Sequence, residues 1–301
     1  MARTLAINGA SKIFILGRRE PNLLAVQASL PAPYNEVIVP VVGDVTCKES
    51  LKGVYEVVAR EVGEDGLDVV VCNSGVTGPR IVTGKSATSG KEISVEELAE
   101  NMLRPSEGEL TDTYAVNLTG IHLTVATFLP LLAKANAARV TSNSNSDSSA
   151  STSETTASGT SATATATTRY RPRPQIITTA SIGAYNRIPL GSMTYGPSKA
   201  GVIHLTKQLA SLLVPHDIRA NVIAPGLYYS EMTAGMYQAR GVEGRNEEGS
   251  WPKDVIPAGR GGEEADIGGV VLWLCSRAGA YVNGCVVVSD GGRLGVVPSS
   301  Y

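Results

Sequence analysis

Short runs rich in valine and isoleucine recur along this chain and alternate with longer stretches of helical periodicity. The runs span residues 12–16, 36–44, 67–75, 174–181, 219–226 and 284–292. Because they lack polar alternation, they predict strands covered on both faces, as in a parallel sheet. The helical stretches between them span residues 21–30, 95–103, 120–135, 195–214 and 264–276. This order predicts a doubly wound α/β fold, in which helices cover both faces of a parallel sheet in three α/β/α layers.

Composition limits the class of protein. A chain of 301 residues that is 43% hydrophobic can bury one large core, so we expect a single domain over residues 1–301. The net charge of −2 gives no electrostatic argument for a nucleic acid or an anionic membrane as partner. No uninterrupted apolar run approaches the ~18 residues of a membrane span, and the N-terminal residues do not resemble a signal peptide. We therefore expect a cytoplasmic protein.

The cysteines and histidines suggest no metal site. Cys47, Cys72, Cys275 and Cys285 form no CxxC pair and fall in apolar runs, so we expect small buried side chains in a reducing compartment. The histidines, at positions 122, 204 and 216, have no spacing typical of a metal pair.

Two segments depart from the alternating pattern. Residues 138–173, approximately, are rich in Ser, Thr and Ala and contain no large apolar side chain before Tyr170. Such a stretch cannot offset its ordering entropy, so we expect a disordered surface insert. The segment from about 227 to 260 follows a predicted strand, and we expect it to cover the substrate as a mobile lid.

The sequence SMTYGPSKAG, residues 192–201, carries the strongest chemical signal. Tyr195 and Lys199 lie four residues apart at the start of a predicted helix, so they share one face. A free tyrosine has a pKa of about 10. An ammonium group about 4 Å away contributes on the order of 4 kcal/mol at an effective dielectric constant near 20. We therefore expect Lys199 to lower the pKa of Tyr195 towards neutrality, although this spacing alone is common on helix surfaces.

Further polar and turn residues follow the predicted strands, at the edge of the sheet where ligands of open α/β sheets bind. They are Ser181, the tripeptide Asn73-Ser74-Gly75 and the pair Pro225-Gly226, and Asn117 lies in a predicted helix. Each could serve only as a turn residue. The ordered set is harder to obtain by chance.

With these residues in place, the chain resembles a classical short-chain dehydrogenase/reductase over nearly its whole length except the Ser/Thr-rich insert. The resemblance implies a Rossmann-like fold and NAD(P)-dependent interconversion of a small carbonyl compound and an alcohol. It implies that Tyr195 exchanges the proton and that Ser181 holds the carbonyl oxygen. Lys199 would lower the tyrosine pKa and bind the nicotinamide ribose, and Asn117 would anchor a water that connects the lysine to solvent.

The same resemblance extends to cofactor, substrate and subunit contacts. Asn73, Ser74, Gly75, Pro225, Gly226 and Thr233 would contact the cofactor together with Tyr195 and Lys199. We expect a mostly apolar substrate, and the candidate pocket walls are Tyr185, Met193, Tyr228, Met232 and Met236. The helices that begin near 120 and 195 would build a homodimer or homotetramer.

The first apolar run ends in Gly17, Arg18 and Arg19, with no acidic residue before Glu20. In dinucleotide-binding folds an acidic residue at this place binds the ribose 2′-hydroxyl, whereas an arginine accommodates a 2′-phosphate. The arginines therefore favour NADP(H) over NAD(H). Asp44, followed by Val45, resembles the acid that contacts adenine, although Asp44 could equally be a turn residue.

The family pattern begins with a strand and a T-G-x-x-x-G-x-G loop, and neither occurs in the sequence as given. We expect the first central strand of the sheet to be missing. One explanation is that the given sequence starts at an internal methionine. The other is a true short form, which would make the protein a non-catalytic binding or interaction module with the same fold.

Overall fold

The computed structural model describes residues 1–84, 92–148, 171–189, 192–242 and 246–301. Within these residues the strands are β1 (Ile13–Gly17), β2 (Ile38–Val42), β3 (Val69–Cys72), β4 (Gln175–Thr179), β5 (Arg219–Pro225) and β6 (Val286–Ser289). The helices are α1 (Ala2–Ile7), α2 (Glu20–Ala28), α3 (Lys48–Val62), α4 (Val95–Leu103), α5 (Glu107–Tyr114), α6 (Gly120–Ser148), α7 (Tyr195–Leu212), α8 (Ala234–Gln238) and α9 (Glu264–Cys275). A π-helical segment, Ala115–Thr119, joins α5 to α6.

All pairings between these strands are parallel, which confirms the predicted α/β class. The described strands form a two-stranded sheet, β1-β2, and a four-stranded sheet in the order β3-β4-β5-β6. In the larger sheet Cys72 pairs with Thr178 and Pro225 pairs with Ser289, so the carboxyl ends of its strands lie along one edge. Among the described residues no strand pairing joins the two sheets.

Successive residues of β4 pack on opposite faces of the larger sheet, as the alternation of side chains in a strand requires. Ile176 belongs to a cluster beneath α3, α6 and α7, whereas Ile177 belongs to a second cluster beneath α9. Representative buried members of the first cluster are Leu51, Val125, Leu132, Val202 and Val222. Those of the second are Ile223, Val271 and Leu274. The result is the predicted three-layer arrangement.

The helical stretch Glu107–Arg139 is long and apolar enough to cross a membrane, with a mean hydropathy of 1.5 over its most apolar window. Buried residues make up 44% of that window. Val125, Phe128 and Leu132 are among them and belong to the largest hydrophobic cluster. A core helix passes the same test of length and composition, and this packing is that of a core helix.

The Ser/Thr/Ala-rich stretch begins differently from the expectation. Helix α6 continues to Ser148, so residues 138–148 are helical rather than irregular, and residues 149–170 lie outside the described part of the chain. After that gap, Arg171 pairs with Asp68 at 3.0 Å and Arg173 pairs with Asp217 at 2.8 Å. These ion pairs fix the chain where it enters β4. The single-domain organisation remains a prediction.

The predicted lid, residues 227–260, contains a small aromatic core of its own where the chain is described. Tyr237 and Trp251 are almost fully buried, and their rings meet edge to face at 5.1 Å between centroids. The Tyr228 hydroxyl shares a hydrogen bond of 2.6 Å with the Ser289 hydroxyl at the end of β6. The segment is therefore attached to the carboxyl edge of the sheet, and its mobility remains a prediction.

The cysteines are all free, and the expectation of burial holds only in part. Cys72 is buried in β3, and burial raises the pKa of its thiol to about 12. Cys285, just before β6, is exposed. The expectation fails there because β6 lies at the edge of its sheet.

Candidate active site

Ser181 and Tyr195 meet at the carboxyl end of β4. Ser181 caps a short 3₁₀ turn, where its Oγ accepts a hydrogen bond of 3.0 Å from the Gly183 amide. Tyr195 is the first residue of α7, and its interaction with the Ser181 hydroxyl acts to lower the pKa of the phenol. The two hydroxyl groups predicted from the sequence are therefore brought together.

A glycine permits this close approach. A Cβ atom at Gly183 would lie 3.1 Å from Tyr195 Cε1 and 3.3 Å from Ser181 Oγ. Both distances are shorter than ordinary van der Waals contact, so a larger residue would move the phenol or the hydroxyl. The backbone of the turn thus forms one side of the site.

Lys199 lies one helical turn after Tyr195 and is only 3% exposed. Its Nζ lies 6.0 Å from the centroid of the Tyr195 ring and donates a hydrogen bond of 2.8 Å to the Thr179 carbonyl. Burial lowers the pKa of Lys199 to about 8, because removing the ammonium from water disfavours its charged form. The helix spacing predicted from the sequence is correct.

The expected acidity of Tyr195 is not found, because burial of the phenol acts in the opposite direction. Burial raises the pKa of Tyr195, and the hydrogen bond with Ser181 opposes that shift without cancelling it. The expectation considered the charge of Lys199 alone and omitted the desolvation of the phenol. Burial also destabilises the charged form of Lys199 and so lowers its pKa. Burial therefore shifts the pKa values of both groups in the direction that favours their neutral forms.

Asn117 lies in the π-helical segment and is fully buried. Its Oδ1 accepts from the Val76 amide at 2.8 Å, and its Nδ2 donates to the Val76 carbonyl and to Ser198 Oγ, each at 2.9 Å. Both amide hydrogens are therefore used by the protein. The side chain clamps the loop after β3 to α7, so a water-anchoring role through these hydrogens is not available.

The tripeptide Asn73-Ser74-Gly75 follows β3, as predicted. Asn73 and Ser74 are exposed. Gly75 is partly buried and lies beside Asn117 of the π-helical segment and Lys199 of α7. A Cβ atom at Gly75 would lie 3.2 Å from both Asn117 Oδ1 and Lys199 Nζ. Only a glycine leaves these two groups undisturbed at this position.

Pro225 and Gly226 lie at the carboxyl end of β5, next to the end of β6. The Gly226 amide donates to the Ser289 carbonyl at 2.9 Å. Thr233 lies in the following turn, and its hydroxyl bonds to the Tyr228 carbonyl. These predicted cofactor residues therefore share the sheet edge that carries Ser181.

The two arginines at the end of β1 have different acidic neighbours. Arg18 Nη1 lies 3.8 Å from Asp44 Oδ2, while Arg19 Nη2 lies 3.0 Å from Glu231 Oε2 in the lid. Hydrogen bonds from the Thr46 hydroxyl and amide lower the pKa of Asp44, and the charge of Arg18 adds to that effect. Both guanidinium groups remain about two-thirds exposed.

The remaining predicted contacts are less tightly defined. Val45 follows β2 and packs against Gly120 at the start of α6. The Tyr185 ring packs against Tyr301 at 4.9 Å between centroids, and the predicted pocket methionines are about 40% exposed: Met193, Met232 and Met236.

The described residues fit a nicotinamide nucleotide at its reactive end. The Thr179 hydroxyl is buried and has no hydrogen-bond partner among the described residues, and it belongs to the residue whose carbonyl holds Lys199. A buried hydroxyl of this kind normally has a partner, so it can accept or donate to a bound ribose or amide. Gly75 leaves free the space beside Lys199 that a side chain would fill.

Several residues of the site were not identified from the sequence. Gly183 and Ser198 lie within three residues of predicted site residues, and helix or turn geometry could have identified them. Thr179 lies in a predicted strand without any signal of its own, but its carbonyl accepts a hydrogen bond from Lys199. Glu231 had no local signal, because it meets Arg19 from 212 positions away.

Comparisons with known proteins identify the family of the chain. Residues 1–164 match the family model described as short chain dehydrogenase, and residues 146–293 match the one described as enoyl-(acyl carrier protein) reductase. The short-chain dehydrogenase/reductase PhomF of Diaporthe leptostromiformis is 35% identical over 301 residues, which cover 100% of this chain and 88% of that protein. The short-chain dehydrogenase/reductase SAT3 of Stachybotrys chartarum is 33% identical over 302 residues, covering 100% of both chains.

The fold has solved counterparts. The Pseudomonas aeruginosa RhlG/NADP active-site complex superposes with a TM-score of 0.66 at 22% identity, covering 97% of this chain and 89% of that one. The relatives are dehydrogenases/reductases, which does not favour the alternative of a non-catalytic module. The chain belongs to the short-chain dehydrogenase/reductase family, whose members are oxidoreductases that act on CH–OH or C=O groups.

Proposed function

We propose that this protein interconverts a small, mostly apolar ketone or aldehyde and the corresponding alcohol, with NADP(H) as the cofactor and Tyr195 as the acid/base. The observation that supports this proposal is that the Tyr195 ring and Ser181 Oγ flank Gly183 at the carboxyl end of β4, at 3.1 and 3.3 Å from the point where a Cβ of Gly183 would lie. Lys199 lies beside them, one helical turn further along α7.

The nicotinamide supplies or accepts the hydride when it is bound. During reduction, negative charge grows on the carbonyl oxygen, and the hydroxyls of Ser181 and Tyr195 stabilise it by hydrogen bonding. Burial raises the pKa of Tyr195, so the phenol holds its proton until the oxygen develops charge. Tyr195 then donates the proton, and the nearby Lys199 ammonium stabilises the phenolate.

The preference for a 2′-phosphate rests on the end of β1. Arg18 and Arg19 are exposed there, and planar guanidinium groups bind phosphate through paired hydrogen bonds. RhlG, a protein of the same fold, forms a complex with NADP. The residues proposed to hold the cofactor are Arg18, Arg19, Asp44, Val45, Asn73, Ser74, Gly75, Tyr195, Lys199, Pro225, Gly226 and Thr233.

The outer faces of α6 and α7 support a homo-oligomer. They share a surface depression lined partly by His122, Leu205, Leu209 and Leu212. The Leu212 side chain is 68% exposed. Leu209 is buried and Leu205 is partly buried, so Leu212 is the exposed one of the three leucines. An exposed apolar side chain beside such a depression is typical of protein interfaces, and a second copy of this chain is the proposed occupant.

Turnover tests the chemical step. A panel of ketones is assayed for NADPH consumption with the wild-type protein and with Tyr195→Phe, which keeps the ring but removes the proton. We expect Tyr195→Phe to lose turnover by about 100-fold or more while it still binds NADPH, as measured by nucleotide fluorescence. Tyr281→Phe, at a fully exposed tyrosine, is the matched control. Full activity in Tyr195→Phe would overturn the proposed mechanism.

The cofactor preference is tested separately. Arg18→Ala should weaken NADPH binding by about 10-fold, the magnitude of one charge-assisted contact, and leave NADH binding unchanged. Arg104→Ala, at an exposed arginine of the loop after α4, is the control. Equal losses for both nucleotides would mean that Arg18 does not contact the 2′-phosphate.

A further inference from the structure

The ion pair between Arg19 and Glu231 connects two distant parts of the molecule. Arg19 is the N-cap residue of α2, directly after β1, and its Nη2 lies 3.0 Å from Glu231 Oε2. Glu231 lies in the turn that begins the lid, after β5. This ion pair therefore connects the proposed 2′-phosphate site to the segment that is proposed to cover the substrate.

Arg18 has a different kind of partner. Its carboxylate neighbour, Asp44, is 3.8 Å away, lies at the end of the adjacent strand β2, and is already hydrogen-bonded by the Thr46 hydroxyl and amide. Asp44 therefore stays in place whether or not a ligand binds. Among the described residues the Glu231 carboxylate makes no other side-chain hydrogen bond, and the Glu231 side chain is 77% exposed, so it can move away.

The turn that carries Glu231 is locally organised. The Thr233 hydroxyl accepts from the Ser230 amide at 2.9 Å, and the Ala234 amide donates to the Ser230 carbonyl at 2.8 Å, which starts helix α8. Glu231 therefore lies within a hydrogen-bonded turn that leads directly into α8. The end of this turn also contains Thr233, one of the proposed cofactor contacts.

We propose that Glu231 competes with the 2′-phosphate of the nucleotide for Arg19, and that binding of the phosphate releases the beginning of the lid. This inference rests on the proposed function, because it assigns the 2′-phosphate to Arg19. A carboxylate and a phosphate at one guanidinium repel each other, so the bound phosphate displaces the mobile Glu231. A nucleotide without the 2′-phosphate leaves the ion pair intact. Glu231 thus sets the preference between the two nucleotides and makes the lid respond to which of them is bound.

Binding of two small probes to the nucleotide-free full chain tests the competition. Adenosine 2′,5′-bisphosphate carries the 2′-phosphate and 5′-AMP does not, so calorimetric titration with both isolates the contribution of that phosphate. Exposed ion pairs of this type correspond to about a 2- to 5-fold change in an equilibrium constant. We expect Glu231→Gln to bind the bisphosphate about 2- to 5-fold more tightly and 5′-AMP with unchanged affinity. In an Arg19→Ala background, Glu231→Gln should have no effect.

Glu64→Gln is the matched control, because Glu64 is an exposed carboxylate paired at 2.9 Å with Lys134 on another surface. It should change neither affinity. Unchanged or weaker bisphosphate binding in Glu231→Gln would overturn the inference, as would an equal gain for both probes or a gain that persists without Arg19. If no probe binds the wild-type protein, the adenosine site itself is wrong and the proposed function falls with the inference. If the probes bind but Glu231→Gln has no effect, only the inference falls.

Hydrogen exchange provides a second readout that a purely structural role would not change. We expect the bisphosphate to increase amide exchange in residues 230–238 of the wild-type protein more than 5′-AMP does. Glu231→Gln should show fast exchange with either probe. An identical response of the wild-type protein to both probes would contradict the release of the lid.

Discussion

The Lys199 ammonium lies 6.0 Å from the centroid of the Tyr195 ring. Instead of pointing only at the phenol, it donates a hydrogen bond of 2.8 Å to the Thr179 carbonyl. Burial raises the pKa of the tyrosine and lowers that of the lysine. Burial in this site therefore favours the protonated phenol of Tyr195, while Lys199 keeps its charge below its pKa of about 8.

The depressed pKa of Lys199 predicts how stability changes with pH. The folded pKa of about 8 lies below the unfolded value of 10.5, so burial of the charged amine costs stability fully below pH 8. That cost disappears as the pH rises from 8 to 10.5, because the folded protein releases the proton first. We expect the wild-type protein to gain roughly 3 kcal/mol over Lys199→Met across this range.

Urea unfolding of both proteins at pH 7, 9 and 10.5 measures this difference. Lys52→Met, at an exposed lysine of α3, serves as the control and should show no such change relative to the wild-type protein. A constant difference between the wild-type protein and Lys199→Met at all three values would show that Lys199 titrates normally.

Replacing Ser181 should alter both the rate and its pH dependence. Ser181→Ala removes one of two hydroxyls aimed at the developing oxyanion, and a single such donor corresponds to about a 100- to 1,000-fold loss in kcat. It also removes the hydrogen bond that lowers the pKa of Tyr195, so the pKa seen in the pH profile of kcat/KM should rise. Ser211→Ala, at an exposed serine of α7, should leave both unchanged. A lower rate with an unshifted pH profile would show that Ser181 does not influence the pKa of Tyr195.

The shared face of Tyr195 and Lys199 was predictable because residues four positions apart on a helix lie on the same side of it. The position of Ser181 was predictable because parallel strands end along one edge. The pKa of Tyr195 was not, since it depends on burial by elements far away in the sequence. The hydrogen-bond partners of Asn117 could not be predicted for a similar reason, because Val76 lies 41 positions away in the sequence and Ser198 lies 81 positions away.

Asn117 should affect stability more than a water-binding residue would. Its fully buried amide makes hydrogen bonds to the Val76 amide, the Val76 carbonyl and the Ser198 hydroxyl. Asn117→Ala leaves buried backbone groups without partners, so we expect a loss of about 2–4 kcal/mol in the free energy of unfolding. Ser198→Ala removes only one of these bonds and should cost about 1 kcal/mol. Chemical denaturation measures both, and a loss below that of Ser198→Ala would contradict the clamp.

A methyl group at Gly75 should disturb catalysis rather than folding. The Cβ of Gly75→Ala would lie 3.2 Å from Lys199 Nζ and from Asn117 Oδ1, so one of them must shift by a few tenths of an ångström. Displacements of this kind near reacting groups lower rates by up to about 100-fold. We expect a reduced kcat with nearly unchanged unfolding, whereas Gly53→Ala, at an open position of α3, should leave kcat unchanged. Unaltered kcat in Gly75→Ala would mean that Lys199 tolerates movement.

The exposed leucine at the end of α7 tests the proposed association of two copies. Leu212 is 68% exposed beside Leu205 and Leu209, and an interface there would remove it from water. Leu212→Glu would place a charge in that interface, at a cost of several kcal/mol if it were buried without a partner. We expect sedimentation to show dissociation into monomers, while Leu24→Glu, at an exposed leucine of α2, leaves the oligomer intact. If Leu212→Glu sediments like the wild-type protein, the copies associate through a different face or not at all.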